Sequence, residues 1–250
     1  MNRSWLVALL AGAALLAACS DDTPDRRDLT IFAAASLTEA FTEMGEAFEA
    51  ANPDVDVRFN FAASSALAQQ LNAGGPADVF VSADEANMSK VRDAGNASAS
   101  AVIARNRLAI LVGRGNPKGI RGLTDLARSD VVVVLCAPEV PCGSTAAKAL
   151  AKAAVNVKPA SLEENVKAVV SRVTLGEADA GIVYVTDVKS AGDRADGVEI
   201  DLADDPALEA VYPLAVTTEA TNPSAANAWR TFTLDPEGAA ILAKHGFLAP

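Results

Sequence analysis

From residue 29 to the C terminus, short apolar runs alternate with amphipathic stretches, and this alternation limits what the chain can fold into. Runs at 29–33, 55–61, 77–82, 107–112, 131–136, 180–185 and 211–217 read as strands. The stretch 36–50 places Leu37, Ala40, Phe41, Met44 and Phe48 on one helical face. Further helices are predicted over 64–73, 145–154, 165–175, 225–233 and 237–244. Strand–helix alternation predicts α/β layers with mainly parallel sheets. In such sheets ligands bind beyond the carboxyl ends of strands, where helices begin. The strand-to-helix turns are therefore where function is sought.

Several of these turns carry small hydroxylic residues. The first is Ala33-Ala34-Ala35-Ser36-Leu37-Thr38-Glu39, in which Ser36 and Glu39 have capping-box spacing. Ser36 either caps its helix or turns its hydroxyl to an anion that the preceding alanines let approach the backbone. The second turn, Phe61-Ala62-Ala63-Ser64-Ser65, repeats the pattern, and either serine could be a simple cap. The third, residues 137–145, reads as a rigid loop before a helix, with free N–H groups at Cys142, Gly143 and Ser144. The fourth opens a helix with Asn165 as N-cap ahead of Val166. A fifth place is Gly181-Ile182-Val183-Tyr184, a strand ending in a tyrosine that either packs with a wet tip or donates to an anion.

The formal charge of −11 excludes a nucleic-acid binder, which needs basic patches. It does not exclude an anion binder. Helix N-termini supply unpaired N–H donors and the positive end of the dipole, so several of them can hold a dianion without Lys or Arg. Distant carboxylates are screened beyond a Debye length of roughly 8 Å. Half the residues are hydrophobic but only 5% aromatic, so the expected core is mostly Ala, Val and Leu.

The N-terminus has a separate purpose. After a basic start, residues 5–18 are apolar and uncharged, too short for the roughly 20 residues a membrane span needs. Residues 1–18 are predicted to be a secretory signal. The run closes Leu16-Ala17-Ala18-Cys19, which resembles a bacterial lipobox; a plain signal with Cys19 incidental is the alternative. Residues 19–28 then read as a lipid-anchored tether, leaving 29–250 to fold, a comfortable length for two domains. Localisation on the extracytoplasmic face of the cell membrane follows. With Cys19 set aside, Cys136 and Cys142 form a pair that, in an exported chain, predicts a disulfide. A metal site would have to be completed by the distant His245, a poor ligand set.

These turns resemble the molybdate-binding proteins of bacterial ABC importers. The resemblance runs through most of 29–250 and is carried by Ile31-Phe32-Ala33-Ala34-Ala35-Ser36-Leu37, Phe61-Ala62-Ala63-Ser64-Ser65, Pro76-Ala77-Asp78-Val79-Phe80-Val81-Ser82-Ala83-Asp84 and Gly181-Ile182-Val183-Tyr184. It implies a two-lobe, type II periplasmic-binding-protein fold with the oxyanion buried between α/β lobes. It implies hydroxyl donors at Ser36, Ser64 and Tyr184, and backbone donors at Cys142 and Val166. The ligand implied is molybdate, with tungstate, delivered to an importer's permease by a monomer that uses no cofactor. With 107–112 and 211–217 as crossing strands, lobe one is expected over 29–105 and 216–250, and lobe two over 106–215.

One departure stands out: familiar members carry alanine where this chain has Cys142, a change that a backbone donor tolerates. Two other readings are kept. One is a binder of sulfate or phosphate, although a site made only of donors disfavours hydrogen phosphate, whose proton needs an acceptor. The other is an enzyme with Cys142 as nucleophile and His245 as base.

Overall fold

Strand β1 (Arg27–Ala34) is buried on both faces from Ile31 onward, as expected of a central strand in a parallel sheet. It runs parallel to β2 (Val55–Ala62) on one side and β3 (Val79–Val81) on the other. Beyond β3 lie β10 (Ala210–Val216) and then β4 (Ala101–Asn106), both joined by antiparallel pairing. The second sheet has the order β7 (Ser161–Glu163), β6 (Val133–Cys136), β8 (Ala180–Tyr184), β5 (Leu108–Gly113), β9 (Ala195–Glu199). The computed structural model describes residues 27–201 and 205–250. The signal segment 1–18, Cys19 and the tether up to residue 26 lie outside the described residues.

The helices are α1 (Thr38–Ala51), α2 (Ser64–Asn72), α3 (Glu85–Asp93), α4 (Pro141–Lys152), α5 (Val166–Thr174), α6 (Val185–Ala191), α7 (Pro223–Leu234) and α8 (Pro236–Lys244). The result is two α/β lobes. The few aromatic residues are concentrated in the first. Trp229 on α7 is fully buried and meets Phe41 and Phe48 of α1 edge-on, with ring centroids 5.5 and 5.3 Å apart. Asp78 ties the first lobe together: its buried carboxylate accepts from the N–H of Thr30 (2.7 Å), the N–H of Asn222 (2.9 Å) and the Thr221 hydroxyl (3.0 Å).

Three boundaries differ from expectation. β1 begins at Arg27, inside the expected tether, because the Arg27 N–H donates to the Asp54 carbonyl and its side chain pairs with the Asp54 carboxylate. α4 begins at Pro141 rather than 145, since proline at the first helical position loses no hydrogen bond. β10 lies in the first sheet along its whole length, so the chain has returned to the first lobe by Ala210 rather than at 216. Its register shifts between Tyr212 and Pro213, the irregularity that lets a proline sit inside a sheet. On the outward crossing only Arg107 separates β4 from β5.

Candidate functional site

Five helix beginnings converge on one cavity between the lobes. The end of β1 contributes Ala34, Ala35 and Ser36, and the end of β2 contributes Ala62, Ala63 and Ser64. Ala83 follows β3. From the second lobe come Val140, Pro141 and Cys142 at the start of α4, Asn165 and Val166 at the start of α5, and Tyr184 at the end of β8. All five residues expected at the site therefore line one cavity. The alanines leave backbone exposed where a larger side chain would fill the space. No Lys, Arg or His is among the lining residues.

Ser36 does not cap α1. The chain makes a tight turn over Ala35–Leu37, and α1 starts at Thr38 with Leu37 as an N-cap that makes no side-chain bond. The Ser36 hydroxyl lies 2.8 Å from the hydroxyl of Tyr212, and Glu39, its expected capping partner, instead binds Lys167. Ser64 is likewise the first residue of α2 and not its cap; its Oγ accepts the Ala83 N–H at 2.9 Å. Both serine oxygens thus have a neighbour within the protein.

In the second lobe, Asn165 is the N-cap of α5, its Oδ1 accepting the Ala168 N–H at 3.0 Å. Val166 is then the first helical residue, with an N–H that has no acceptor inside the helix. Cys142 and Gly143 occupy the same kind of position in α4. Ser144 does not, because its N–H donates to the Val140 carbonyl at 3.0 Å. The Cys142 sulfur is bonded to that of Cys136 at the end of β6. A thiol so bonded is not available as a nucleophile, and His245 is occupied with Glu43, 2.8 Å away, whose carboxyl is held below its usual range by Lys244 and by His245 itself.

Tyr184 is almost completely buried, and its hydroxyl makes no hydrogen bond of good geometry among the described residues. Leaving a buried donor unmatched costs roughly 1–3 kcal/mol, so an orphan phenol facing a cavity marks a place for a ligand. Burial pushes its pKa well above 10, with Tyr212, Asp187 and Asp84 adding in the same direction and the Thr145 hydroxyl pulling weakly the other way, so it is a neutral donor at any physiological pH. The Tyr184 N–H donates to the buried carboxylate of Asp187 (3.1 Å), whose pKa burial raises to about 6 against the pull of Lys167.

Sequence reading missed Ala83, Tyr212 and Asn106. Asn106 Nδ2 donates to Thr186 Oγ1 at 2.8 Å and faces the Tyr212 hydroxyl at 3.5 Å. A signal was present, since the chain has only two tyrosines and each sits in an apolar strand where its hydroxyl needs a partner.

Residues 29–248 match the family described as bacterial extracellular solute-binding protein. The molybdate-binding protein ModA of Mycobacterium tuberculosis is 39% identical over 252 residues, covering 97% of this chain and 95% of its own length. The periplasmic molybdate-binding protein of Azotobacter vinelandii shares the fold, with a TM-score of 0.75 at 18% identity over 89% of this chain and 99% of its own. The sulfate-binding protein SubI of Mycobacterium tuberculosis does so equally, with a TM-score of 0.75 at 21% identity over 89% of this chain and 86% of its own. The fold thus serves more than one oxyanion. With a two-lobe α/β architecture and a cleft ringed by helix beginnings, this chain belongs to the bacterial extracellular solute-binding proteins.

Proposed function

We propose that the cleft captures molybdate, and tungstate with it, for delivery to an ABC importer. The observation that carries this reading is the buried, unmatched Tyr184 hydroxyl in a cavity that also holds the hydroxyls of Ser36 and Ser64 and the first-turn N–H groups of Cys142 and Val166. Every group in that set is a neutral donor, which suits an ion that carries negative charge and no proton. The cavity is small and lined without a charged side chain, which suits a compact oxyanion. The preference for molybdate over sulfate rests on the 39% identity to the molybdate-binding protein ModA of Mycobacterium tuberculosis.

In this reading the lobes close on the ion as bodies, turning about the crossings at Arg107 and ahead of Ala210. Cys19 carries the lipid that holds the protein at the extracytoplasmic face, and the protein acts as a monomer. Sulfate is the second candidate, because it too lacks a proton and the fold is shared with a sulfate binder. Calorimetric titration of the purified protein with molybdate, tungstate, sulfate and phosphate decides between them. Tight binding of the first two, with sulfate at least a hundredfold weaker, is expected. Sulfate bound as tightly as molybdate would overturn the assignment.

A further inference from the structure

The two serine hydroxyls in the cleft share a property that neither has by itself. Each oxygen meets a donor supplied by the protein. For Ser64 the donor is the Ala83 N–H, which cannot reverse its sense. The Ser64 oxygen must accept, and its own proton is left to point elsewhere. For Ser36 the neighbour is the Tyr212 hydroxyl at 2.8 Å, and here either group could donate.

Asn106 removes that freedom. Its Oδ1 accepts the N–H of Arg107 at 2.9 Å, which fixes the amide so that Nδ2 faces Tyr212 and Thr186. An amide NH2 has only protons to offer. At 3.5 Å from the phenol oxygen it is a weak hydrogen bond, but its dipole still turns the Tyr212 proton away from Asn106 and toward Ser36. Asn106 and Tyr212 are fully buried, so the hydrogen bond between them is set by the protein and not by bulk water.

We propose that Tyr212 and Asn106 are positioning residues that make Ser36 an obligatory donor to the ligand, and so build the discrimination against protonated oxyanions into the cleft. This rests on the oxyanion reading of the cavity. The chain of donors runs Asn106 to Tyr212 to Ser36 to ligand. It also links the lobes, since Asn106 and Tyr212 lie on the two strands flanking the crossings and Thr186 belongs to α6 of the second lobe.

The test compares Tyr212→Phe and Asn106→Asp with the unaltered protein, titrating molybdate and inorganic phosphate at pH 8. Asn106→Asp keeps the shape but replaces the NH2 by an acceptor. Tyr212 then donates to the introduced carboxylate, and Ser36 must spend its proton on Tyr212. Molybdate affinity is expected to fall roughly ten- to hundredfold, the value of one hydrogen bond to a charged group. Phosphate is expected to lose less or to gain, because Ser36 can now accept its proton. Tyr212→Phe leaves Ser36 free to turn either way, so a loss for molybdate of about two- to tenfold is expected, again with a narrowed molybdate-to-phosphate ratio. A general loosening of the cleft would weaken both ions alike. An unchanged ratio in both variants overturns the proposal, and if Asn106→Asp does not fold, the ratio in Tyr212→Phe alone decides. Ser64→Ala and Tyr184→Phe serve as controls on the parent reading. If neither weakens molybdate binding, the site itself is misassigned; if both do while the ratio stays fixed, only the polarity proposal fails.

Discussion

Lys167 Nζ lies 2.7 Å from a carboxylate oxygen of Glu39, and the pair spans the cleft, with Glu39 on α1 of the first lobe and Lys167 on α5 of the second. Lys167 is also 3.1 Å from Asp187 and 3.1 Å from the Ser190 hydroxyl, so it is held from its own lobe before it reaches across. Both partners are part-exposed, and such pairs contribute about 0.2–1 kcal/mol. Glu39→Gln is accordingly expected to favour the open form slightly and to weaken molybdate binding by no more than about fivefold. Calorimetry gives the affinity, and small-angle scattering without ligand should show a larger radius of gyration. A loss of a hundredfold would mean that Glu39 has a role at the ligand itself.

Asp187 gives the stability curve an unusual sign. Its folded pKa of about 6 lies above its ordinary 3.8, so the folded state takes up the proton first. The protonated form is the one that burial favours. The stability due to this group is therefore greatest below about pH 4, declines as pH rises toward 6, and stays low above it, a difference on the order of 3 kcal/mol. Asp187→Asn retains an acceptor for the Tyr184 N–H and removes the titration. Urea melts from pH 4 to pH 8 should show the variant gaining on the unaltered protein as pH rises. Parallel curves would show that Asp187 does not titrate in this window.

The Cys136–Cys142 bond closes a ring of six-residue separation between the end of β6 and the first turn of α4. Chain entropy assigns it roughly 2 kcal/mol. Replacing both cysteines with serine should lower stability by about that amount and weaken molybdate binding several-fold, because the Cys142 N–H is then less firmly placed. Mass spectrometry of the unreduced, exported protein should find neither thiol free, and Cys19 lipidated at the mature N-terminus. Two free thiols in the folded domain, or a different N-terminus, would refute the respective assignment.

Gly143 is constrained by the same turn. A Cβ there would stand 2.0 Å from the Ala137 carbonyl oxygen and 2.7 Å from that of Cys136, both backbone atoms that cannot step aside. Gly143→Ala is expected to push the start of α4 off the sheet and cost molybdate affinity at least tenfold, more than the loss of the disulfide. Affinity within twofold of the unaltered protein would show that the position of this turn does not matter.

The α/β layers, seven of the ten strands among the described residues and the meeting of Ser36, Ser64, Cys142, Val166 and Tyr184 were legible because period-two and helical patterns are local, and because resemblance tied the turns to one cleft. Strands β4, β7 and β9, with α3 and α6, were not, and half of the strand pairings are antiparallel where mainly parallel sheets were expected. The roles of Ser36 and Glu39 were not. Capping-box spacing is a local signal, and here two distant contacts override it: Tyr212 takes the serine and Lys167 takes the glutamate. The early start of α4 was hidden for a related reason, since Pro141 reads as a breaker from either side although it is well tolerated as a first helical residue. Asn106 and Tyr212 lie 106 residues apart, and no spacing in the sequence announces that their strands flank the same crossing.

Capture by neutral donors is tested most directly by titrating molybdate into the Tyr184→Phe protein. The substitution removes one hydroxyl that makes no hydrogen bond of good geometry among the described residues. Stability should hold or improve, while affinity falls roughly ten- to hundredfold, with little dependence on salt in either protein. Unchanged affinity in Tyr184→Phe would contradict the tyrosine contact, and a steep salt dependence would mean that a cation, not the ring of helix beginnings, holds the ion.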